Sequence, residues 1–288
     1  MKDLNYQLMT LCKENRDGSY STQATRRRIL DLIANQLHEM GYRRMQAKSL
    51  KPKHVIALVS LWKDQSLSIG TFKNRLSALR WWARKVGKAD IIPKDNSAFE
   101  IGNRSLIAKE SKAQELDEEK LAQVSDEYVR LSLSLQAEFG LRREEAIKFS
   151  PNYAIKDDHI KLKPTWTKGG RARTIPIRNN EQRQLLDEVR KLARGGALIP
   201  PNKNYEYQLH RYERQVRDAD IKNPHGLRHA YAQRRYEELT GWKAPVAGGP
   251  ASKSLSSDQR ALNEGARETI AEELGHSREE ISTVYLGR

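Results

Sequence analysis

Apolar residues recur at helical spacing along nearly the whole chain, and only one interval alternates in the way that strands do. In the first third, Ile33 and Leu37 lie one helical turn apart, and Leu58 with Trp62 repeats that spacing. Between residues 153 and 177 the pattern changes to short apolar runs separated by turn-forming residues. The sequence therefore predicts a mostly α-helical fold with a small antiparallel β-sheet. The predicted strands are 153–155, 159–163 and 172–177.

The length of 288 residues is enough for two domains of ordinary size. A stretch from residue 89 to about residue 112 has Pro93, several turn-forming residues and little periodicity, which is typical of a connection between domains. We therefore predict a helical N-terminal domain over 1–105, a linker over 106–112 and a second domain over 113–288.

The charge of the chain favours a polyanionic partner. There are 52 Lys and Arg against 37 Asp and Glu, a net charge of +15. Residues 1–110 hold 21 of the basic residues and only 10 acidic ones, so the first third carries most of the excess. Such a field attracts nucleic acid, although a basic surface that only confers solubility stays open as the alternative.

Basic side chains in the first third lie on helices that also carry an apolar stripe. Such a helix can pack on its neighbours through one face while its other face contacts phosphates. The alternative for each of these residues is an ordinary solvated face. The candidate DNA-binding residues are Arg26, Arg27, Arg28, Lys73, Arg75, Arg80 and Arg84.

Cysteine usage and hydropathy indicate a protein of the cytoplasm. Cys12 is the only cysteine, so the chain cannot form an intramolecular disulfide. The N-terminal residues lack the apolar core of a signal peptide, and no run approaches the ~18 apolar residues of a membrane span. We expect no contact with a membrane.

Four segments in the last two thirds carry residues suited to phosphodiester chemistry. Arg142 and Arg228 each lie near the start of a predicted helix, where a guanidinium and the helix start can both hold phosphate oxygens. Lys168 precedes Gly169-Gly170 at a predicted hairpin tip, where a lysine can act as a general acid. Taken singly, each residue also fits a surface ion pair or an exposed turn. The segments are GLRREEA at 140–146, TKGGRARTIPI at 167–177, HGLRHAYA at 225–232 and LGHSREEISTVY at 274–285.

Two histidines and a tyrosine complete the set. His225 and His276 can donate to a phosphate oxygen or move a proton, although a histidine near a helix start is more often a cap or a packing residue. Tyr285 is the candidate nucleophile, and simple aromatic packing is its alternative. No carboxylate falls in zinc-ligand spacing with the histidines, and no phosphate-binding loop for ATP is present. We therefore predict no metal and no cofactor.

In combination and in order, these segments resemble the tyrosine recombinases of the phage integrase family. Members of that family carry a G-L-R-x-x-E segment, a hairpin lysine before an R-x-[IV]-P strand, H-x-L-R-H, and L-G-H with a tyrosine some nine residues later. The resemblance covers roughly 113–288, and the N-terminal helices are similar to the family's SAM-like core-binding domain. The matching residues are Gly140, Leu141, Arg142, Glu145, Lys168, Arg173, Pro176, His225, Leu227, Arg228, His229, Leu274, Gly275, His276 and Tyr285.

The resemblance implies a site-specific recombinase that cleaves and rejoins double-stranded DNA at specific recombination sites through a 3′-phosphotyrosine. It implies a homo-tetramer on DNA, integration or excision of a mobile element, and an accessory DNA-bending or directionality factor as a further candidate partner. Tyr285 would attack, Lys168 would be the general acid and His225 would assist proton transfer. Arg142, Arg228 and His276 would hold the phosphate, with Glu145 supporting Arg142.

Two departures from the family pattern concern the gap before His276 and the segment after Tyr285. Arg228 and His276 are 48 positions apart, a long gap that contains the Gly- and Pro-rich loop 240–258, which we expect to contact a neighbouring subunit. Only residues 286–288 follow the tyrosine, where many members have a further helix. The alternatives are a type IB topoisomerase-like relaxing enzyme and a non-catalytic DNA-binding regulator.

Overall fold

The computed structural model of the protein describes residues 3–103, 107–167, 169–276 and 282–288. The chain divides into two units, Met1–Arg104 and Ser105–Arg288, each with its own hydrophobic core. The fold class predicted from the sequence is confirmed, because the structure is mostly helical with one small antiparallel sheet. None of the described helices is long and apolar enough to cross a membrane.

Four helices build the first unit. Ser19 and Ser68 begin two of them, since each side chain accepts a hydrogen bond from a main-chain amide three residues later and so satisfies one of the free donors of a helix start. Pro52 supplies the preorganised first residue of the third helix. The helices are α1 (Asp3–Glu14), α2 (Tyr20–Glu39), α3 (Pro52–Asp64) and α4 (Ile69–Lys85).

The apolar spacing of these helices defines the core of the first unit. Ile33, Leu37 and Leu58 are fully buried, as their spacing predicts. Two buried tryptophans in this core each donate a hydrogen bond from the indole nitrogen. Trp62 Nε1 donates to Gln36 Oε1 at 2.9 Å, and Trp82 Nε1 donates to a main-chain carbonyl at 3.0 Å. The indoles therefore fill the core without leaving a donor unpaired.

The second unit packs nine helices, among the described residues, around the two-stranded sheet. α11 lies at its centre and contacts α6, α12 and α13. The strands are β1 (His159–Leu162) and β2 (Arg173–Pro176), with Ile160 opposite Ile175. The helices are α5 (Glu118–Ala122), α6 (Glu127–Phe139), α7 (Arg143–Ile147), α8 (Pro151–Ala154), α9 (Asn180–Ala193), α10 (Tyr205–Asp218), α11 (His225–Thr240), α12 (Ser257–Glu273) and α13 (Thr283–Leu286).

The strand predicted at 153–155 is wrong. Pro151 begins a single helical turn, α8, and only Ile155 makes a bridge to Ile160 of β1. A proline fixes the φ angle that a first helical residue needs, and Tyr153 on this turn packs edge to face against Trp166 with ring centres 5.6 Å apart. Tertiary packing on the aromatic pair therefore overrides the β-favouring character of the run.

The long loop 240–258 folds against its own unit. It contains two short 3₁₀ turns, Pro245–Ala247 and Ser252–Ser254, and buries the side chains of Ala244 and Leu255. Gly249 is required in it, because a Cβ there would lie 1.6 Å from the carbonyl oxygen of Lys243. The Pro245–Ala247 turn packs against α13, the helix that carries the candidate nucleophile.

Candidate active site

Arg228 is the centre of the candidate site and is almost fully buried, with 1% of its surface exposed. Its Nη1 donates to the main-chain carbonyl of Gly140, and its Nη2 donates to that of Leu274. Its Nε lies 3.3 Å from Tyr285 Oη. Burial lowers the pKa of Arg228 to about 10, so the guanidinium is still a cation at neutral pH. One arginine thus joins α11 to two turns and to the tyrosine.

Gly140 shapes the first of those turns. It ends α6 in the left-handed region with a φ of 60°, and a Cβ there would lie 2.5 Å from Tyr231 Cδ1. Only glycine allows both the conformation and the close approach. Arg142 then becomes the N-cap of α7, two residues after the turn. The G-L-R segment is therefore a turn that delivers Arg142 beside Arg228.

Glu145 fixes the orientation of Arg142. Its Oε2 accepts from the main-chain nitrogen of Arg142 at 2.7 Å, and its Oε1 accepts from Arg142 Nη1 at 2.9 Å. The carboxylate is completely buried, while the Arg142 side chain keeps 21% of its surface exposed. The exposed part of the Arg142 side chain can therefore contact a ligand while Glu145 holds the main-chain nitrogen and Nη1 of the same residue.

Arg173 is a second partner of Glu145 to which the sequence analysis gave no role. From β2 its Nη1 and Nη2 donate to the two oxygens of Glu145 at 2.9 and 2.6 Å, and its Nε donates to the carbonyl of Glu273 at 2.8 Å. Burial alone would raise the pKa of Glu145, but the bonds from Arg173 and the charges of Arg228 and Arg142 lower it to about 2. The R-x-[IV]-P motif signals the residue, and only the fold reveals its partner.

His276 lies over the ring of Tyr285. The ring centres are 5.3 Å apart at 23°, and His276 Nε2 lies 3.4 Å from Arg228 Nη2. Burial, then the charges of Arg228 and Arg142, lower the pKa of His276 to about 3. Its buried Nδ1 has no hydrogen-bond partner among the described residues. A neutral imidazole with an unused nitrogen is suited to donate to an anionic oxygen.

Two more histidines come from the first turn of α11. His225 lies at the helix start with part of its surface exposed. Partial desolvation of its ring, followed by the charges of Arg228 and Arg142, lowers its pKa. His229, which the sequence analysis quoted only as part of a motif, is buried with its ring 4.5 Å from that of Tyr285. Burial lowers the pKa of His229 to about 4. Both rings are therefore neutral at pH 7 in the free protein.

Five of the six predicted catalytic residues thus meet in one place. Arg228 lies beside both Tyr285 and His276, and the rings of His225 and His276 lie 6.3 and 5.3 Å from that of Tyr285. In addition to the effect of burial, Arg142 is close enough for its charge to lower the pKa values of His225, Arg228 and His276. Such an arrangement can bind an anion and stabilise charge that develops on its oxygens.

Lys168 lies outside the described residues. Its neighbours Gly169 and Gly170 have φ angles of 92° and 68°, which suits a tight turn between β1 and β2. Thr167 Oγ1 donates to the carbonyl of Arg171 at 2.7 Å across this turn. The position of Lys168 in the site therefore stays a prediction.

The candidate DNA-binding residues of the first unit differ in their surroundings. Arg27 and Arg28 are exposed, whereas Arg26 stacks over Trp81 with its guanidinium carbon 4.4 Å from the ring centre. Arg80 donates to the carbonyl of Pro93 at 2.9 and 2.7 Å and to a neighbouring amide oxygen at 2.8 Å. The engaged donors of Arg80 hold residues 93–96 against α4. The remaining candidates are half-buried Lys73 and Arg75 and exposed Arg84.

Comparisons with known proteins identify the family of the chain. A family model described as the N-terminal part of phage integrase matches residues 1–92, and one described as integrase matches residues 101–234. The second range contains Arg142, His225 and Arg228, while His276 and Tyr285 lie beyond it. No curated protein sequence matches the chain. The two models together cover most of the chain, which therefore belongs to the phage integrase family of tyrosine recombinases.

Solved structures of that family share the fold. XerH site-specific recombinase in a post-cleavage complex with a palindromic difH substrate is 18% identical with a TM-score of 0.59, covering 99% of this chain and 81% of that chain. A lambda integrase tetramer on a Holliday junction is 15% identical with a TM-score of 0.59, covering 97% and 76%. The Tn1549 transposon integrase with circular-intermediate DNA is 14% identical with a TM-score of 0.55, covering 100% and 96%.

Proposed function

We propose that the protein is a site-specific DNA recombinase that cleaves and rejoins double-stranded DNA through a 3′-phosphotyrosine. The family match and one observation support this function above all others. The hydroxyl of Tyr285 lies 3.3 Å from a buried arginine, within a cluster of further phosphate-binding groups. A phenol in ordinary packing does not need a fully buried cation beside its oxygen.

Tyr285 Oη attacks the phosphorus of the scissile phosphodiester and forms the new P–O bond. The bond to the 5′ oxygen breaks, so the products are a 3′-phosphotyrosine and a 5′-hydroxyl. The phenol loses its proton, and one proton goes to the leaving oxygen, for which Lys168 is the proposed donor. Attack by a 5′-hydroxyl reverses the step, and no nucleotide is consumed because the phosphodiester energy is kept.

The donors of the site act on the phosphate oxygens. Arg142 keeps an exposed side-chain end that can reach one oxygen, and His276 can donate to another. Arg228 Nε faces Tyr285 Oη and stabilises the charge that develops on the tyrosine oxygen, while the buried cation attracts the phosphate beside it. Fixed donors in a site that excludes water lower the barrier by several kcal/mol, roughly 3–4 for one such donor.

The protein further acts, in this proposal, as a homo-tetramer on two specific sites in the cytoplasm during integration or excision of a mobile element. Support comes from the printed descriptions of similar structures, which include a lambda integrase tetramer on a Holliday junction and a transposon integrase with circular-intermediate DNA. An accessory DNA-bending or directionality factor is a further proposed partner.

Covalent trapping tests the function. The protein is incubated in EDTA with nicked duplexes that tile the DNA flanking its own gene, and the SDS-resistant adduct is digested and mapped by mass spectrometry. We expect a phosphorylated peptide that contains Tyr285, with no adduct on a scrambled duplex. Tight DNA binding without an adduct would favour a non-catalytic regulator. Relaxation of supercoiled plasmids at the same rate whether or not they carry the site would favour the topoisomerase-like function.

Neutralising the exposed arginines of α2 should weaken DNA binding for all sequences. The double variant Arg27→Ala/Arg28→Ala removes two exposed cations. The slope of log K against log salt is negative, and each lost phosphate contact reduces its magnitude by about 0.9, so a reduction of about 1 to 2 is expected. Fluorescence anisotropy between 50 and 200 mM salt measures it.

Arg80→Ala is the contrasting control in the same unit. Its three hydrogen bonds to residues 93–96 are lost, so we expect a lower melting temperature and a nearly unchanged salt slope. A salt slope that changes with Arg80 but not with Arg27 and Arg28 would contradict this division of roles.

A further inference from the structure

The helix that carries Tyr285 is too short to place itself. α13 has four residues, Thr283–Leu286. Isolated helices shorter than about 12 residues are marginal in water, so a single turn is held only by what surrounds it. The main chain of Tyr285 therefore depends on bonds from residues outside α13.

Gln233 provides such a bond. It lies one turn after His229 on α11, and its Nε2 donates to the carbonyl oxygen of Tyr285 at 3.0 Å. The same amide pairs with the hydroxyl of Ser111, with Nε2 to Oγ at 3.0 Å and Oγ to Oε1 at 3.1 Å. Gln233 thus joins the nucleophile's main chain both to α11 and to Ser111.

Ser111 belongs to a segment that is itself bonded to the site. We call residues 107–114 the leading segment. The amide of Ala108 donates to the carbonyl of Thr283 at 3.1 Å, and the amide of Gln114 donates to that of Gly226 at 3.0 Å. A Cβ at Gly226 would lie 2.3 Å from Gln114 Cγ, so the motif glycine between His225 and Leu227 makes room for this segment.

The loop 240–258 closes the other side of α13. A Cβ at Gly287 would lie 3.0 Å from Val246 Cβ, which means that the loop turn and the residue after α13 are already in close contact. The leading segment, α11 and this turn all come from the same chain. α13 is therefore contacted by the leading segment, by α11 and by the loop turn. Gln233 is a side chain of α11 that bonds both to α13 and to the leading segment.

We propose that Gln233 is a positioning residue, which holds the main chain of Tyr285 at the distance from Arg228 that attack requires. This inference rests on the proposed function. Arg228 and Gln233 lie on the same helix, so a bond from Gln233 to the tyrosine sets the nucleophile directly against the phosphate-binding arginine. A displacement of about 1 Å in such a site can cost about 100-fold in rate.

The variants Gln233→Ala and Gln233→Glu test the inference in the full-length protein. The glutamate keeps the size of the side chain but removes the donor to the Tyr285 carbonyl. In single-turnover cleavage of the nicked duplex, we expect the rate constant at saturating DNA to fall about 10- to 100-fold. The half-saturating DNA concentration should stay at the wild-type value, because among the described residues Gln233 bonds to Ser111 and to the Tyr285 carbonyl rather than to Arg142, Arg228 or His276.

Ser111→Ala and a distant glutamine separate positioning from general stability. Ser111→Ala should lower the rate constant less than Gln233→Ala, and the double variant should be no slower than Gln233→Ala alone. Gln215→Ala removes comparable bonds, to Ser125 and to the amide of Asp126, and should leave cleavage unchanged.

Three results would overturn the inference. The first is a wild-type rate constant in Gln233→Ala. The second is a fall in the rate constant of Gln233→Ala that is accompanied by comparable falls in its DNA affinity and melting temperature, which would make Gln233 a structural residue only. A wild-type protein that forms no adduct overturns the proposed function together with this inference. A wild-type adduct combined with either of the first two results removes only the role of Gln233.

Discussion

Replacing Tyr285 with phenylalanine is expected to abolish the covalent protein–DNA adduct and to leave DNA binding at the wild-type level. The substitution removes only the hydroxyl, whose neighbour is Arg228 Nε at 3.3 Å. The ring contacts with His229 and His276 remain, so the packing of α13 should survive. The expected loss is complete because no other oxygen nucleophile occupies that position among the described residues. SDS-gel analysis of the trapped adduct, together with anisotropy on the intact duplex, measures both properties.

Tyr236→Phe is the matched control for that experiment. Tyr236 is also fully buried in the second unit, and its hydroxyl donates to Asn263 at 2.8 Å. Its substitution should cost some stability, about 1 kcal/mol for the lost hydrogen bond, and should not prevent adduct formation. An adduct with Tyr285→Phe would refute Tyr285 as the nucleophile. Loss of the adduct with Tyr236→Phe, at a temperature where that variant is folded, would show that adduct loss is not specific to Tyr285.

The helices and the order of the site segments could be predicted because both depend on local sequence. Helical spacing placed Ile33 and Leu58 in the first core, and short motifs named residues that the fold then brings together. The strand at 153–155 could not be excluded, because Pro151 and the distant Trp166 decide that conformation through packing. Apolar spacing records which residues are buried but not what they are buried against.

Sequence patterns also do not predict the hydrogen-bond partners of charged and polar side chains. The helical pattern groups Arg80 with the candidate DNA-binding residues and does not show that its guanidinium is bonded to residues 93–96 beyond the end of α4. Arg173 and Gln233 received no role, because their partners lie 28 and 52 positions away in the chain. Long-range pairing of this kind leaves no periodic signal, and it is what turns a set of motifs into a positioned site.

Glu145→Gln should have the second largest effect, on stability and on cleavage together. The substitution keeps the shape of the side chain but removes the charge that faces Arg173, Arg142 and Arg228. The pKa of Glu145 is lowered from 4.5 to about 2, and a difference of that size corresponds to about 3 kcal/mol of folding free energy at neutral pH. Breaking a buried pair on one side has a cost of the same order.

Cleavage should fall with stability because Glu145 holds Arg142 in place. In Glu145→Gln, only one of the two oxygens that bind Arg142 remains an acceptor, since the other becomes an amide nitrogen. We expect the single-turnover rate constant to fall at least about 10-fold at a temperature where the variant is folded. Glu213→Gln is the control, since its exposed pair with Arg143 should contribute at most about 1 kcal/mol.

The dependence of that stability difference on pH has a defined sign. A carboxylate whose pKa is lowered by folding stabilises the protein fully above its unfolded pKa of about 4.5, and the contribution is lost as the pH falls towards about 2. Urea unfolding of wild type and Glu145→Gln should therefore differ most at pH 6–7 and converge as the pH drops below about 4.5. Other carboxylates titrate in both proteins, so the difference isolates Glu145. A gap that stays constant down to pH 3 would mean that the carboxylate charge does not stabilise the arginine cluster.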